Sequence, residues 1–222
     1  MFDGVDQLHV TAIVQAQCQY SFLVINSGGF GFINGFDNFF TQAEATAQND
    51  NFDAVVSRLS AMFFPDPAAG VAEALRVVRK NGCVAFVVWS SKEANPFFSV
   101  TTDVLDQFVQ VPPPDPDAQD MFRFAEPGKL AGILESSRAK GVVERRLKFA
   151  IEAPARAGLA YSFDQFWQMR TEMSDTLRQR LAGVTPDQLA RIKPAVAEAA
   201  EKYFSNAAMS FPAEALIVSG RG

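Results

Sequence analysis

The sequence predicts an α/β protein with a mostly parallel sheet, incomplete at its N-terminal side, and a helical C-terminal elaboration. Three observations carry that prediction. Phe52–Trp89 reads as a buried strand, a capped helix and a second buried strand, which together make one αβ repeat of a parallel sheet. Two helical patterns follow later, over Ser162–Leu181 and Thr185–Phe204. The composition also breaks ahead of the repeat: all 20 Lys and Arg residues lie at or after Arg58, and the first 57 residues are crowded with Phe, Gln, Asn and Gly. The expected division is therefore an atypical segment 1–51 and a domain 52–222, with a helical insertion over about 161–206.

Taken in order, Leu8–Ala16 and Tyr20–Ile25 are β-rich runs bounded by polar residues, and Asn26–Gly35 (NSGGFGFING) is a glycine-rich loop. Phe36–Ala47 reads as a short helix and Asn49–Asn51 as a turn. Phe52–Leu59 is apolar apart from Asp53, Ser57 and Arg58, as suits a parallel strand covered on both faces. Asp66 can cap a helix whose first position is Pro67, where the missing N–H costs nothing. Val71, Ala74, Leu75 and Val78 form its apolar stripe, the basic residues Arg76, Arg79 and Lys80 gather towards its end, and Gly82 can supply a left-handed stop. Cys83–Trp89 is the second apolar strand. Beyond it come an amphipathic helix over Phe97–Val111, a stiff proline linker over Pro112–Asp117 and a helix over Pro127–Lys140 closed by Gly141. Val142–Ile151 is a strand with Val143, Leu147, Phe149 and Ile151 on one side, and Ala215–Ser219 is a short last strand.

Bulk chemistry narrows the function classes. A net charge of −5 lacks the basic face that phosphate-backbone binding needs, so no nucleic-acid partner is expected. No apolar run approaches the ~20 residues of a membrane span, and no basic stretch precedes an apolar core near Met1. A cytoplasmic protein is expected. One histidine, His9, and two separated cysteines, Cys18 and Cys83, give no metal-ligand spacing. His9 reads either as a general base or as a structural strand residue.

The stretch from Phe52 onward resembles the class I S-adenosylmethionine-dependent methyltransferases, in the broad group that includes ubiquinone and menaquinone biosynthesis enzymes. Phe52–Arg58 followed by Met62–Pro67 resembles the fourth strand of that Rossmann-like fold and the loop after it. Leu75–Trp89 resembles the helix, turn and fifth strand that follow, its turn reading Arg79-Lys80-Asn81-Gly82 where the family has arginine-proline-glycine-glycine, so that the proline and first glycine are replaced. Glu93–Phe98, the proline tract, Phe122–Pro127 and Ala215–Arg221 look like one subgroup of the same family. The resemblance implies S-adenosylmethionine as cofactor and a small-molecule substrate.

It also implies where ligands sit. Ligands of open α/β sheets lie outside the carboxyl ends of the strands, which points to Ser57, Arg58, Leu59, Met62 and Phe63 for the cofactor. Gln42-Ala43-Glu44-Ala45 resembles the family's D-A-E-A sequence that touches the adenine, adding Gln42 and Ala43. Phe163 and Trp167, on an aromatic helix over Ser162–Met173, would belong to a lid over a hydrophobic substrate, or else to a core-facing stripe. Methyl transfer from a sulfonium depends mainly on alignment, so no catalytic residue is singled out.

The family's glycine-rich first strand is the part that does not match. Gly29-Phe30-Gly31 could stand for its last two glycines, but Ile25 sits where the acid would be and Ser27 where the first glycine would be. Only 20 residues separate Gly31 from Phe52, too few for the two helices and two strands the family places there. Gly28, Gly29, Gly31 and Gly35 therefore read either as a hairpin-forming loop or as a degenerate cofactor loop. The start of the chain is expected to be truncated or replaced relative to the family. Two functions stay open, a small-molecule methyltransferase and a non-catalytic remnant or interaction module. The sheet edge left by missing strands is expected to pair with the N-terminal strands within Leu8–Ile25 or to form a homodimer.

Overall fold

The computed structural model describes residues 21–26, 29–34, 52–109, 115, 117–153, 161–205 and 208–222. The expected elements over Leu8–Ala16 and Phe36–Ala47, the turn at Asn49–Asn51, and Gln42, Ala43, His9 and Cys18 lie outside them. The fold is α/β and Rossmann-like, with a mixed sheet. The chain divides into two compact units, one of Met1–Ser90, Pro116–Leu147 and Ala215–Gly222, the other of Ser91–Asp115 and Lys148–Glu214.

Seven strands make up the sheet among the described residues: β1 (Ser21–Asn26), β2 (Gly29–Asn34), β3 (Phe52–Arg58), β4 (Val78–Trp89), β5 (Lys140–Ala153), β6 (Phe204–Ser205) and β7 (Ala208–Arg221). Their order is β2-β1-β3-β4-β7-β5, with β6 paired to β7. The sequence leads one to expect a mostly parallel sheet; instead β3–β4 is parallel, while β1–β2, β1–β3, β4–β7 and β6–β7 are antiparallel. Connection length explains one of these directly, because two residues between β1 and β2 permit only an antiparallel hairpin. β1 covers the edge of β3, the pairing expected of the run Tyr20–Ile25. β5 ends the sheet and exposes Lys140, Arg145, Arg146 and Lys148, charges that discourage further strands from adding.

In the first unit, β3 leads through Phe64 into α1 (Pro67–Val77). Asp66 caps this helix by accepting from Ala69 N at 3.0 Å, as its sequence predicts. Val71, Ala74 and Val77 are buried. The helix stops at Val77, earlier than the turn expected at Asn81-Gly82, because Val78 turns extended and pairs with Phe52. Strand β4 thus includes Arg79–Gly82, and Asn81, not Gly82, takes the left-handed conformation at φ 63°. Gly82 is required for space: a Cβ there would stand 2.8 Å from Arg79 O and 2.9 Å from Asp53 O. Gly70 lets α1 close on the fully buried Phe64 ring, 2.6 Å from where a Cβ would lie. Arg123 donates to Phe64 O at 2.6 Å and Phe124 is buried, which gives the Phe122–Pro127 motif a structural role in holding the loop after β3. Helix α3 (Lys129–Ser136) buries Leu130 and Leu134. Along β5 the alternation slips by one at Arg145-Arg146, so Val143 is 43% exposed and not aligned with Leu147, Phe149 and Ile151.

The second unit begins with α2 (Pro96–Leu105), which is buried along most of its length, not amphipathic as its pattern suggests. Asn95 ahead of it is fully buried and uses its whole amide: Nδ2 donates to Ser91 O and to Glu214 O, both at 2.9 Å, and Oδ1 accepts from Glu214 N at 3.0 Å. Asn95→Ala orphans two buried backbone groups of Glu214, and the expected cost is about 3 kcal/mol, measurable by urea unfolding. The helix expected over Ser162–Leu181 is broken into α4 (Phe163–Met173) and α5 (Asp175–Ala182). Ser174 is extended at the junction, and its hydroxyl accepts from Leu177 N to cap the second piece. α6 (Pro186–Ala200) opens with a reciprocal Thr185–Gln188 capping box. Val104, Leu105, Leu177, Ile192 and Val196 form the helical core, with Trp167 and Phe163 packed against it. Beside it Phe166 stacks on Phe211 at 5.2 Å, and Phe97 meets both rings edge-on.

Candidate functional site

The parallel pair β3–β4 brings two strand ends to one edge of the first unit. Arg58 is level with Val87, and Leu59 N extends the ladder by donating to Val87 O at 2.8 Å. Leu59 then turns left-handed at φ 54°, a conformation that costs a branched residue about 1–2 kcal/mol. That turn redirects the chain into the short 3₁₀ helix Ala61–Phe63.

Buried hydroxyls stand at the ends of both strands. Ser57 and Ser60 are buried and share a hydrogen bond of 2.7 Å. Ser90, just past the end of β4, is buried with Oγ unpartnered. A buried hydroxyl without a partner costs about 1–3 kcal/mol and invites a ligand atom or water. Sequence reasoning missed Ser60 and Ser90, since only the tertiary fold buries their hydroxyls.

Of the cofactor residues expected from the sequence, Ser57, Arg58 and Met62 are buried at this edge and Leu59 and Phe63 are half-buried. All five lie on the end of β3 and the 3₁₀ turn that follows it. The glycines do not join them. Gly29 and Gly31 lie within β2, paired with Asn26 and Val24, so the stretch forms a hairpin instead of a strand-to-helix turn. In doubly wound sheets of order 3-2-1-4-5-6 the first strand adjoins the fourth, and β1 holds that place beside β3. Yet β1 runs antiparallel to β3, with Ile25 level with Ala54, which puts the hairpin end at the opposite edge from Leu59. Among the described residues, the glycine-cradled half of an S-adenosylmethionine site is therefore not formed at this edge.

The two aromatic residues expected to meet a substrate stay together in the second unit, their rings 6.2 Å apart. Both pack against the helical core, and Phe163 also lines an open groove of about 530 Å³ with Tyr161 and Phe204. Arg170, on the same helix, is 4% exposed; burial pushes its guanidinium down to about 10. Its charge lies over the rings of Phe97 and Phe98, and Nη2 donates to Phe98 O at 3.2 Å while Nε has no partner. Among the described residues no group of three or more His, Cys, Asp or Glu is placed to hold a metal ion, and no helix is long and apolar enough to cross a membrane.

Comparison with known proteins gives one family. The model of the methyltransferase domain family matches residues 34–86, which takes in β3, α1 and most of β4. No curated protein matches the chain. Among solved structures, a candidate methyltransferase of Bacillus halodurans is 17% identical with a TM-score of 0.40, and the YcgJ protein of Bacillus subtilis is 15% identical with a TM-score of 0.39. Each alignment covers 79% of this chain and 66% of the other, so the chain spans just under two thirds of their length. Phosphoethanolamine N-methyltransferase 2 of Haemonchus contortus, solved with S-adenosyl-L-methionine, is 10% identical over 78% of this chain and 34% of its own, with a TM-score of 0.35. Residues 34–86 thus match the methyltransferase domain family, and the chain resembles the class I S-adenosylmethionine-dependent methyltransferases.

Proposed function

We propose that the protein binds S-adenosylmethionine against the carboxyl ends of β3 and β4 and transfers methyl groups to a small molecule in the cytoplasm. The observation that carries this reading is the buried, unpartnered Ser90 hydroxyl just past the carboxyl end of β4, a strand that lies mostly within the methyltransferase match together with its parallel partner β3. Ser57, Arg58, Leu59, Met62 and Phe63 would flank the cofactor, with Gln42 and Ala43 at the adenine and Phe163 and Trp167 towards the substrate. The reading is tested by calorimetric titration of the wild-type protein and Ser90→Ala with S-adenosylmethionine. Removing an unsatisfied buried hydroxyl is expected to raise stability by about 1 kcal/mol, while cofactor affinity falls by about fivefold or more. Unchanged affinity would remove Ser90 from the site.

The antiparallel hairpin β1–β2 favours a second reading. A sheet whose first-strand position is filled this way keeps the fold without the glycine cradle, as a non-catalytic methyltransferase-like module would. Absence of any cofactor binding selects it.

A further inference from the structure

The groove of the second unit has a chemistry of its own. It opens between the start of α4, the end of α6 and the β6–β7 strands, and its volume of about 530 Å³ suits a metabolite-sized ligand. Its apolar wall is aromatic: Tyr161, Phe163 and Phe204. These rings are held in place from behind. Phe166 stands 6.1 Å from Phe163 and 5.9 Å from Phe204, edge-on to the latter, and the Tyr161 hydroxyl donates to Met169 Sδ at 3.5 Å.

The groove is also lined by Glu198 and Glu201. Both are exposed, and neither carboxylate has an ion-pair or hydrogen-bond partner among the described residues, although Glu201 N donates to Glu198 O in the backbone. The nearby lysines are engaged elsewhere, Lys193 with Asp164 at 2.8 Å and Lys202 over the Tyr203 ring at 5.0 Å. The two carboxylates also occupy the last turn and C-cap of α6, where no basic residue stands. Negative charge at a helix C-terminus opposes the macrodipole, so this placement works against the stability of the helix. A local rule broken without a structural gain marks a functional position. Aromatic faces attract a cation through their quadrupoles, and two unpaired carboxylates add a charge that only a cation neutralises.

We infer that this groove binds an organic ammonium ligand, its alkylated nitrogen against Tyr161, Phe163 and Phe204 and its charge balanced by Glu198 and Glu201. The inference does not depend on methyl transfer, because the binding is read without S-adenosylmethionine. Choline and its neutral carbon isostere 3,3-dimethyl-1-butanol are the probes, titrated into the full chain and followed by aromatic proton shifts in NMR. Choline is expected to bind, with the isostere about tenfold weaker or worse. The Glu198→Gln/Glu201→Gln double variant should weaken choline about tenfold while its melting temperature stays the same or rises, since both carboxylates are exposed and oppose the helix dipole. Equal binding of choline and the isostere, no choline binding at tens of millimolar, or an unchanged affinity in the double variant would each overturn the inference. Loss of choline binding alone leaves the cofactor titration untouched, and the reverse also holds.

Discussion

Gly82→Ala is expected to destabilise the protein by about 3 kcal/mol and to lower its melting temperature by about 10 °C. The added methyl would lie 2.8 Å from Arg79 O and 2.9 Å from Asp53 O, and would also meet the Val78 side chain. Two of those three neighbours are backbone in paired strands, which cannot step aside without breaking the β3–β4 ladder. The same position anchors the end of β7: Gly222 N donates to Gly82 O at 3.2 Å, and Asn81 N donates to Gly222 O at 3.2 Å. Gly132→Ala is the internal control. It lies within α3 with nothing within 4 Å of an added Cβ, so the change is expected to stabilise by about 0.5–1 kcal/mol. Thermal unfolding of the two variants side by side separates steric cost from backbone entropy.

Arg170→Met is expected to do the opposite of most core substitutions and to stabilise the protein by about 1–2 kcal/mol. The guanidinium is charged at neutral pH in both the folded and unfolded protein, but burial pushes its folded value from the ordinary arginine range down to about 10. That difference corresponds to about 3 kcal/mol of unfavourable free energy below pH 10. Above pH 10 the folded state binds fewer protons than the unfolded chain, so the penalty fades as pH rises beyond that point. The face-on contacts with Phe97 and Phe98 and the bond to Phe98 O return part of the penalty. Met keeps the volume among the rings and removes both the charge and the unpartnered Nε. Urea unfolding at pH 7 and pH 10.5 checks both parts: the gain should be present at pH 7 and smaller at pH 10.5. A loss of stability in Arg170→Met at pH 7 would mean that the charge has a counter-charge in the fold.

Local chemistry was legible where it was self-contained. Asp66 and Pro67 specify a helix start with no help from distant residues, and so do Thr185 with Gln188 and Ser162 with Gln165. The apolar runs of β3 and the second half of β4 announce strands for the same reason. Arg79–Gly82 did not, because three charged or polar residues join a strand only when Phe52 lies beside Val78. Ser174 hides inside a continuous helical pattern, and only its extended backbone reveals that it caps a new helix. β2 is rich in glycine, a poor strand former, and pairing with β1 overrides that preference.

The site shows the same limit more sharply. The ends of strands point to Ser57, Arg58 and Leu59 by a topological rule that needs only the αβ repeat. Strand direction is a property of pairing, so the antiparallel course of β1, which carries the glycines to the far edge, has no local signature. Whether the Ser90 hydroxyl is orphaned depends likewise on everything packed around it.

Isothermal titration with S-adenosylmethionine at millimolar concentration tests the central claim most directly. Saturable heat at one cofactor per chain, reduced in Ser90→Ala, is the result the account predicts. No detectable heat from a protein that unfolds cooperatively would contradict it and leave a methyltransferase-like fold without its cofactor.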